Sequence, residues 1–128
     1  MIKNPMDNTR FSISIKEQYI LGEVGLAHER NAWIYDVKIH KNGVPRSIHT
    51  IEVGRGHPET VVLIHGYLGA AVYFFKLLAQ LEKHVHVDAI DLLGAGLFYR
   101  PNVEFKSYDQ SVAFFADAIE DWRKKLKI

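Results

Sequence analysis

The alternation of apolar and polar residues changes character at Thr60. Before that point the apolar positions recur every second residue. In "NAWIYDVKIH", Trp33, Tyr35, Val37 and Ile39 share one face, as a half-buried strand requires. In "RSIHTIEVG", Ile48, Thr50 and Glu52 alternate against His49, Ile51 and Val53. The turn signal "KNGVP" lies between the two, so the segments predict an antiparallel hairpin. From Thr60 the run "TVVLIHG" is continuously apolar. Such a run suits a strand covered on both faces, as in parallel sheets. "AAVYFFKLLAQLEKH" then carries Phe74, Leu77, Leu78 and Leu81 at helical spacing, and "VHVDAIDLLG" reads as a second short strand. A long helix follows, opened by Ser107 with Gln110 three residues on, a capping box. Its apolar stripe is Tyr108, Val112, Phe115, Ile119, Trp122 and Leu126, and Lys124, Lys125 and Lys127 suit the dipole at its end.

The N-terminal segment is less decided. Met1 to Arg10 reads as a loose polar leader. "FSISIKEQYI" opens with an alternation that suits a short strand, and Ile15 to Leu21 equally suits a weak helix. The expected organisation is a leader over 1–31 and a partial α/β domain over 32–128.

Composition narrows the chemistry. The 128 residues are 48% hydrophobic and 24% charged, which describes a globular chain. A net charge of +1 is too balanced for a nucleic-acid surface. With no cysteine, disulfide scaffolds, thiolate nucleophiles and thiolate metal sites are excluded. The polar start "MIKNPMDNTR" contains no apolar core, so neither a secretory signal nor a membrane span is read. The expected location is intracellular and cytoplasmic, with an organelle left open.

The order of elements, with "HGYLGA" after the third strand and "DLLGAG" after the fourth, resembles the α/β-hydrolase fold. The Arg100-Pro101 pair and the "IEDWR" block from Ile119 narrow the resemblance to the subfamily of lysophospholipases, lysophosphatidate acyltransferases and lipase coactivators. That resemblance implies the N-terminal half of an α/β-hydrolase sheet: an antiparallel hairpin, then parallel strands with two helices. It implies an oxyanion-hole loop at His65, Gly66, Tyr67 and Leu68, in which the backbone N–H of Tyr67, helped by Leu68, faces an oxygen that turns negative during acyl transfer. Gly66 and Gly69 would let that loop turn tightly. Asp91, Gly94 and Gly96 would form a structural loop after the fourth strand. It implies a lipid or acyl-ester ligand and no cofactor.

The resemblance also predicts what is lacking. A serine nucleophile in this fold sits in Gly-x-Ser-x-Gly, and no such motif occurs. The serines are Ser12, Ser14, Ser47, Ser107 and Ser111, none on a predicted strand-to-helix elbow. The last residues, "WRKKLKI", fall where a family member would begin its fifth strand. The expectation is therefore a fragment or truncated form of a lipid acyl-ester hydrolase or acyltransferase, inactive alone and with no catalytic residue of its own. Its third strand, Val61 to Ile64, would be an open apolar edge completed by a partner chain or a C-terminal half. The alternative is a non-catalytic structural subunit that pairs this edge inside a larger assembly, and a regulatory pseudoenzyme is a third reading. Phe98 and Tyr99 favour the alternative, because the family pattern Gly-x-Gly-x-Ser has a serine where Phe98 stands. Residues 1–30 contain no Trp, so the aromatic droplet anchor of the coactivators is not carried over.

Two further patterns are set aside. His86 and Asp91 match an acyltransferase His-x4-Asp spacing, but residues five apart on a strand face opposite ways. His84 and His86 share a predicted strand face, yet no carboxylate is evidently placed to finish a shell, so no metal site is expected. Asp88 and Asp91 fall on opposite sides of the same strand. The "RKKLK" run reads as a solvated helix end, with an anionic lipid surface as the minor alternative.

Overall fold

The computed structural model describes residues 5–41, 44–96 and 103–128. Four strands form one mixed sheet: β1 (Ala32–Lys41), β2 (Val44–Val53), β3 (Thr60–Ile64) and β4 (His86–Ile90), in the order β1-β2-β4-β3. β1 and β2 pair antiparallel from Ala32 opposite Val53 to Lys41 opposite Val44. The Asn42-Gly43 turn between them lies outside the described residues. β2 and β4 are antiparallel, with Glu52 opposite Asp88, while β3 and β4 are parallel. The sheet is thus mixed, an antiparallel hairpin joined to a parallel pair, as the resemblance implies.

Helices cover both faces. On one face, α1 (Pro5–Gly22), a 3-10 turn (Ala71–Phe74) and α2 (Phe75–Leu81) enclose Leu21, Leu26, Ile51, Val53, Leu78, Val87 and Ala89. On the other, α3 (Tyr108–Leu126) packs Ala118 and Trp122 against Val37, Ile39, Ile48 and Ile90. The Trp122 indole N–H donates to the Thr50 hydroxyl at 3.0 Å, both side chains being fully buried. That bond satisfies a polar group that would otherwise be stranded in the core.

Four local expectations change. The Phe11–Ile15 alternation does not form a strand, and the helix alternative holds. α1 buries Glu17 and Leu21, four residues apart on one face, and the helical period prevails because a strand there finds no neighbour to pair with. His49 of β2 fastens this helix, with Nε2 2.8 Å from Glu17 and Nδ1 2.9 Å from Asp36. The leader expected over Met1 to Arg10 is helical from Pro5. In α3 the stripe begins too early: Tyr108 and Val112 are exposed, and burial starts with Phe114 and Phe115. Phe105, just before the helix, packs edge-on against Phe114 instead, with ring centroids 5.3 Å apart. The Ser107 hydroxyl accepts from the Gln110 N–H at 3.2 Å as a cap should, but the Gln110 side chain returns to the Lys106 N–H at 2.9 Å rather than to Ser107.

β3 is the sheet's edge among the described residues, bonded to β4 on one side only. Val61 and Ile64 are 38% and 45% exposed there. No helix among the described residues is long and apolar enough to cross a membrane.

Candidate functional site

The loop that leaves β3 is held by two side chains, His65 and Asp91. His65 is buried directly after the strand. Its Nε2 accepts the Leu92 N–H at 3.0 Å, and its Nδ1–H donates to the Gly66 carbonyl at 2.8 Å. An imidazole that accepts on one nitrogen and donates from the other has a fixed tautomer and a fixed plane. His65 therefore pins the loop after β3 to the loop after β4, and neither nitrogen is left for proton transfer.

Asp91 makes the second tie. It is fully buried, and its Oδ1 accepts the Ala71 N–H at 2.7 Å, at the start of the 3-10 turn. The Asp91 N–H in turn donates to the His49 carbonyl at 3.0 Å. Its carboxylate lies against the backbone of Gly96, where an added Cβ would sit 2.0 Å from Oδ2. Gly96 also has φ 58°, so the position needs glycine for both space and conformation. Gly94, with φ 84°, is exposed and has open space around it.

Between these ties the chain makes a four-residue turn, closed by the Gly69 N–H donating to the Gly66 carbonyl at 3.0 Å. Leu68, the third residue, has φ 56°, a place where such turns favour glycine. The tight contact falls on Gly69, where a Cβ would lie 2.8 Å from the His65 Cβ. Gly66 has nothing within 4 Å of an added Cβ, so of the two loop glycines only Gly69 is sterically required. Tyr67 and Leu68 are 96% and 79% exposed. Among the described residues, no backbone carbonyl accepts from the N–H of either. The loop thus presents two uncommitted donors on a rigid base, which can hydrogen-bond an oxygen that gains negative charge.

None of the five serines lies on a strand-to-helix elbow. Ser107 caps α3, the Ser111 hydroxyl donates to the Tyr108 carbonyl, Ser47 is in β2, and Ser12 and Ser14 are on α1. The Arg100-Pro101 pair, Phe98 and Tyr99 lie outside the described residues. A depression of about 330 Å³, lined by Ile39, His40, Asp121, Lys124 and Lys125, lies at the β1 edge of the sheet, away from the β3 loop. His84 precedes β4 in a turn and is exposed, so the expected His84–His86 pair on one strand does not form. His86 points to the α3 side of the sheet, where it meets Glu52, whereas Asp91 binds the Ala71 N–H. The His-x4-Asp spacing therefore brings nothing together. What local sequence signals could not supply was the second partner of His65, since Leu92 enters through the β3–β4 pairing.

No protein-family model matches the chain. It is 37% identical over 81 residues to a protein of Oryza sativa subsp. japonica named "Probable 1-acylglycerol-3-phosphate O-acyltransferase", a match that covers 62% of this chain and 20% of that one. Among solved structures it is similar to the haloalkane dehalogenase DatA from Agrobacterium tumefaciens, with a TM-score of 0.62 and 24% identity, over 77% of this chain and 30% of that one. It is also similar to a membrane phospholipase A, with a TM-score of 0.59 and 18% identity, over 94% of this chain and 34% of that one. The chain therefore spans a fifth to a third of the length of these relatives. The likeness shows an α/β-hydrolase-like fold over part of those chains.

Proposed function

We propose that these residues form the oxyanion side of a centre that transfers or hydrolyses the acyl group of a lipid ester, with 1-acylglycerol-3-phosphate as the acceptor class when the group is transferred. One observation carries the reading: the Gly66–Gly69 turn leaves the Tyr67 and Leu68 N–H groups free while His65 and Asp91 hold its base. As a nucleophile adds to the acyl carbonyl, the carbonyl oxygen becomes negative, and donors already in place stabilise it without reorganisation. The attacking group is not among these 128 residues. Further polypeptide along the open Val61–Ile64 edge would supply it, because an exposed apolar edge strand favours pairing.

The test deletes one donor and spares the turn. Tyr67 is the second residue of the turn, a position that favours proline, and its side chain is almost wholly in solvent. In the natively purified protein with everything that accompanies it, Tyr67→Pro is expected to lower kcat for acyl transfer from acyl-CoA to 1-acylglycerol-3-phosphate by about 100- to 1,000-fold, the usual loss for one oxyanion donor. KM should stay nearly constant. Acyl transfer that is untouched by Tyr67→Pro sinks the reading. The absence of any acyl-transfer or esterase activity in a preparation where the chain sits among other subunits favours the second reading, a non-catalytic scaffold. The lack of a Gly-x-Ser-x-Gly motif is the observation behind that one.

A further inference from the structure

A second polar cluster lies on the α3 side of β4, with Asp88 at the middle of the strand and His86 at its start, three and five residues (about 10 and 16 Å along the strand) before Asp91. The β2–β4 register sets Glu52 opposite Asp88, and alternation places His86 on the same face as Asp88. Glu52 Oε1 is 3.0 Å from His86 Nε2, and Asp88 Oδ2 is 3.7 Å from the same nitrogen. One ligand atom from each residue lies within 4.8 Å of the others. Asp88 is 1% exposed, and neither of its carboxylate oxygens has a hydrogen-bond partner among the described residues. A buried carboxylate with no donor is costly, and such groups are normally paired or bound to a metal.

We propose that Glu52, His86 and Asp88 form a structural zinc site that clamps β2 to β4. Three features fit that ion. At zinc–ligand distances near 2.0–2.1 Å, tetrahedral ligand atoms lie about 3.3–3.4 Å apart, and the separations of 3.0 and 3.7 Å bracket this value. The other imidazole nitrogen, Nδ1, is 3.4 Å from the Thr60 hydroxyl on β3, the kind of outer contact that orients a ligating histidine. Charge also fits. Arg55 donates from Nε and Nη2 to the two Glu52 oxygens, each at 2.8 Å, and Tyr35 donates to Oε2 at 2.9 Å. Arg55 balances one carboxylate, and the charge of Asp88 is left for a cation. Glu52 Oε1 keeps a second lone pair beyond the Arg55 contact. An imidazole in the donor set favours zinc over calcium or magnesium.

The test strips the natively purified protein with EDTA, dialyses it against micromolar zinc chloride and counts the metal retained. One zinc per chain is expected. Asp88→Asn and His86→Gln should each weaken retention at least tenfold, while His84→Gln, at an exposed turn histidine, should leave it unchanged. X-ray absorption of the zinc-loaded wild type should show one imidazole nitrogen and otherwise oxygen ligands, and this readout stands even where a variant fails to fold. The proposal is overturned if the wild type retains no zinc, if Asp88→Asn retains it as well as the wild type, or if absorption shows two or more imidazoles.

Discussion

The Trp122–Thr50 hydrogen bond offers a sharp test of how α3 is fixed to the sheet. Both side chains are fully buried, and the bond is 3.0 Å long. Thr50→Val removes the acceptor and strands the indole N–H, which costs about 1–3 kcal/mol. Trp122→Phe removes the donor and part of the ring. The Thr50 hydroxyl then still has the Ile48 carbonyl 3.3 Å away, so this variant suffers mainly from lost volume. A full Trp→Ala truncation costs about 3–5 kcal/mol, and phenylalanine fills much of the site, so about 2 kcal/mol is expected. In the Trp122→Phe background, Thr50→Val strands nothing, and its further cost should fall below about 0.5 kcal/mol. The cycle should therefore show a coupling of about 1–2 kcal/mol. Urea unfolding of the natively purified protein reads this directly: with m near 1–2 kcal/mol/M, Thr50→Val alone shifts the midpoint by about 1 M. If Thr50→Val costs less than 0.5 kcal/mol alone and the two changes add, the hydrogen bond does not hold α3 and the reasoning fails.

Three other outcomes follow from the same kind of argument. His49→Leu leaves the buried Glu17 carboxylate without its partner and should cost about 3–5 kcal/mol, read as the early loss of α1 protection in hydrogen exchange; protection equal to the wild type would show that His49 does not fasten the helix. Burial pushes the Asp88 carboxyl up to about 6 from an ordinary 3.8, so the metal-free native state keeps a proton that the unfolded chain has lost. That favourable linkage is complete below pH 4 and lost as pH rises through 6, at an upper limit of roughly 3 kcal/mol. In EDTA, Asp88→Asn should be the more stable form at pH 7–8 by about 1–2 kcal/mol with the gap closing below pH 4, and a gap independent of pH would refute this. Gly69→Ala forces a Cβ to 2.8 Å from the His65 Cβ and should destabilise by about 1–3 kcal/mol, whereas Gly66→Ala, which meets open space, should cost under 1 kcal/mol; equal costs in thermal unfolding would contradict the turn geometry.

The fold was legible because its strands carry two distinct patterns. The alternating runs of β1 and β2 identify an antiparallel hairpin, and the continuous run of β3 identifies a strand of the parallel pair it forms with β4. α1 was ambiguous because Phe11–Ile15 alternates locally, and only the sheet face beneath it, with His49 between Glu17 and Asp36, selects the helix. The "HGYLGA" loop could be located from its position after a strand. That Gly69 rather than Gly66 is the crowded glycine could not, since the neighbour is the His65 side chain folded back upon it. The Glu52–His86–Asp88 cluster was missed for a related reason. His84 drew notice as a sequence neighbour of His86, while the carboxylate that completes the group comes from a different strand through a register no local pattern reveals.

The two ends of β4 therefore ask for opposite things. At its C-terminal end, Asp91 and His65 are bonded to backbone groups, and among the described residues the main-chain N–H groups of Tyr67 and Leu68 have no backbone acceptor. Such an end accepts negative charge. From the middle of the strand to its N-terminal end the backbone is committed to the β2 and β3 ladders, and the groups without a hydrogen-bond partner among the described residues are the Asp88 oxygens and His86 Nε2. That end accepts positive charge. A metal at the second cluster would stiffen the β2–β4 pairing beside β3, the strand from which the first loop projects, and the ion would lie on the α3 side of the sheet, opposite the side on which Asp91 ties Ala71. Zinc removal should accordingly lower thermal stability, while the effect of Tyr67→Pro on kcat should be the same with and without the ion. If chelation instead abolished the Tyr67→Pro effect, the two ends would be coupled through β4, and a purely structural role for the cluster would be untenable.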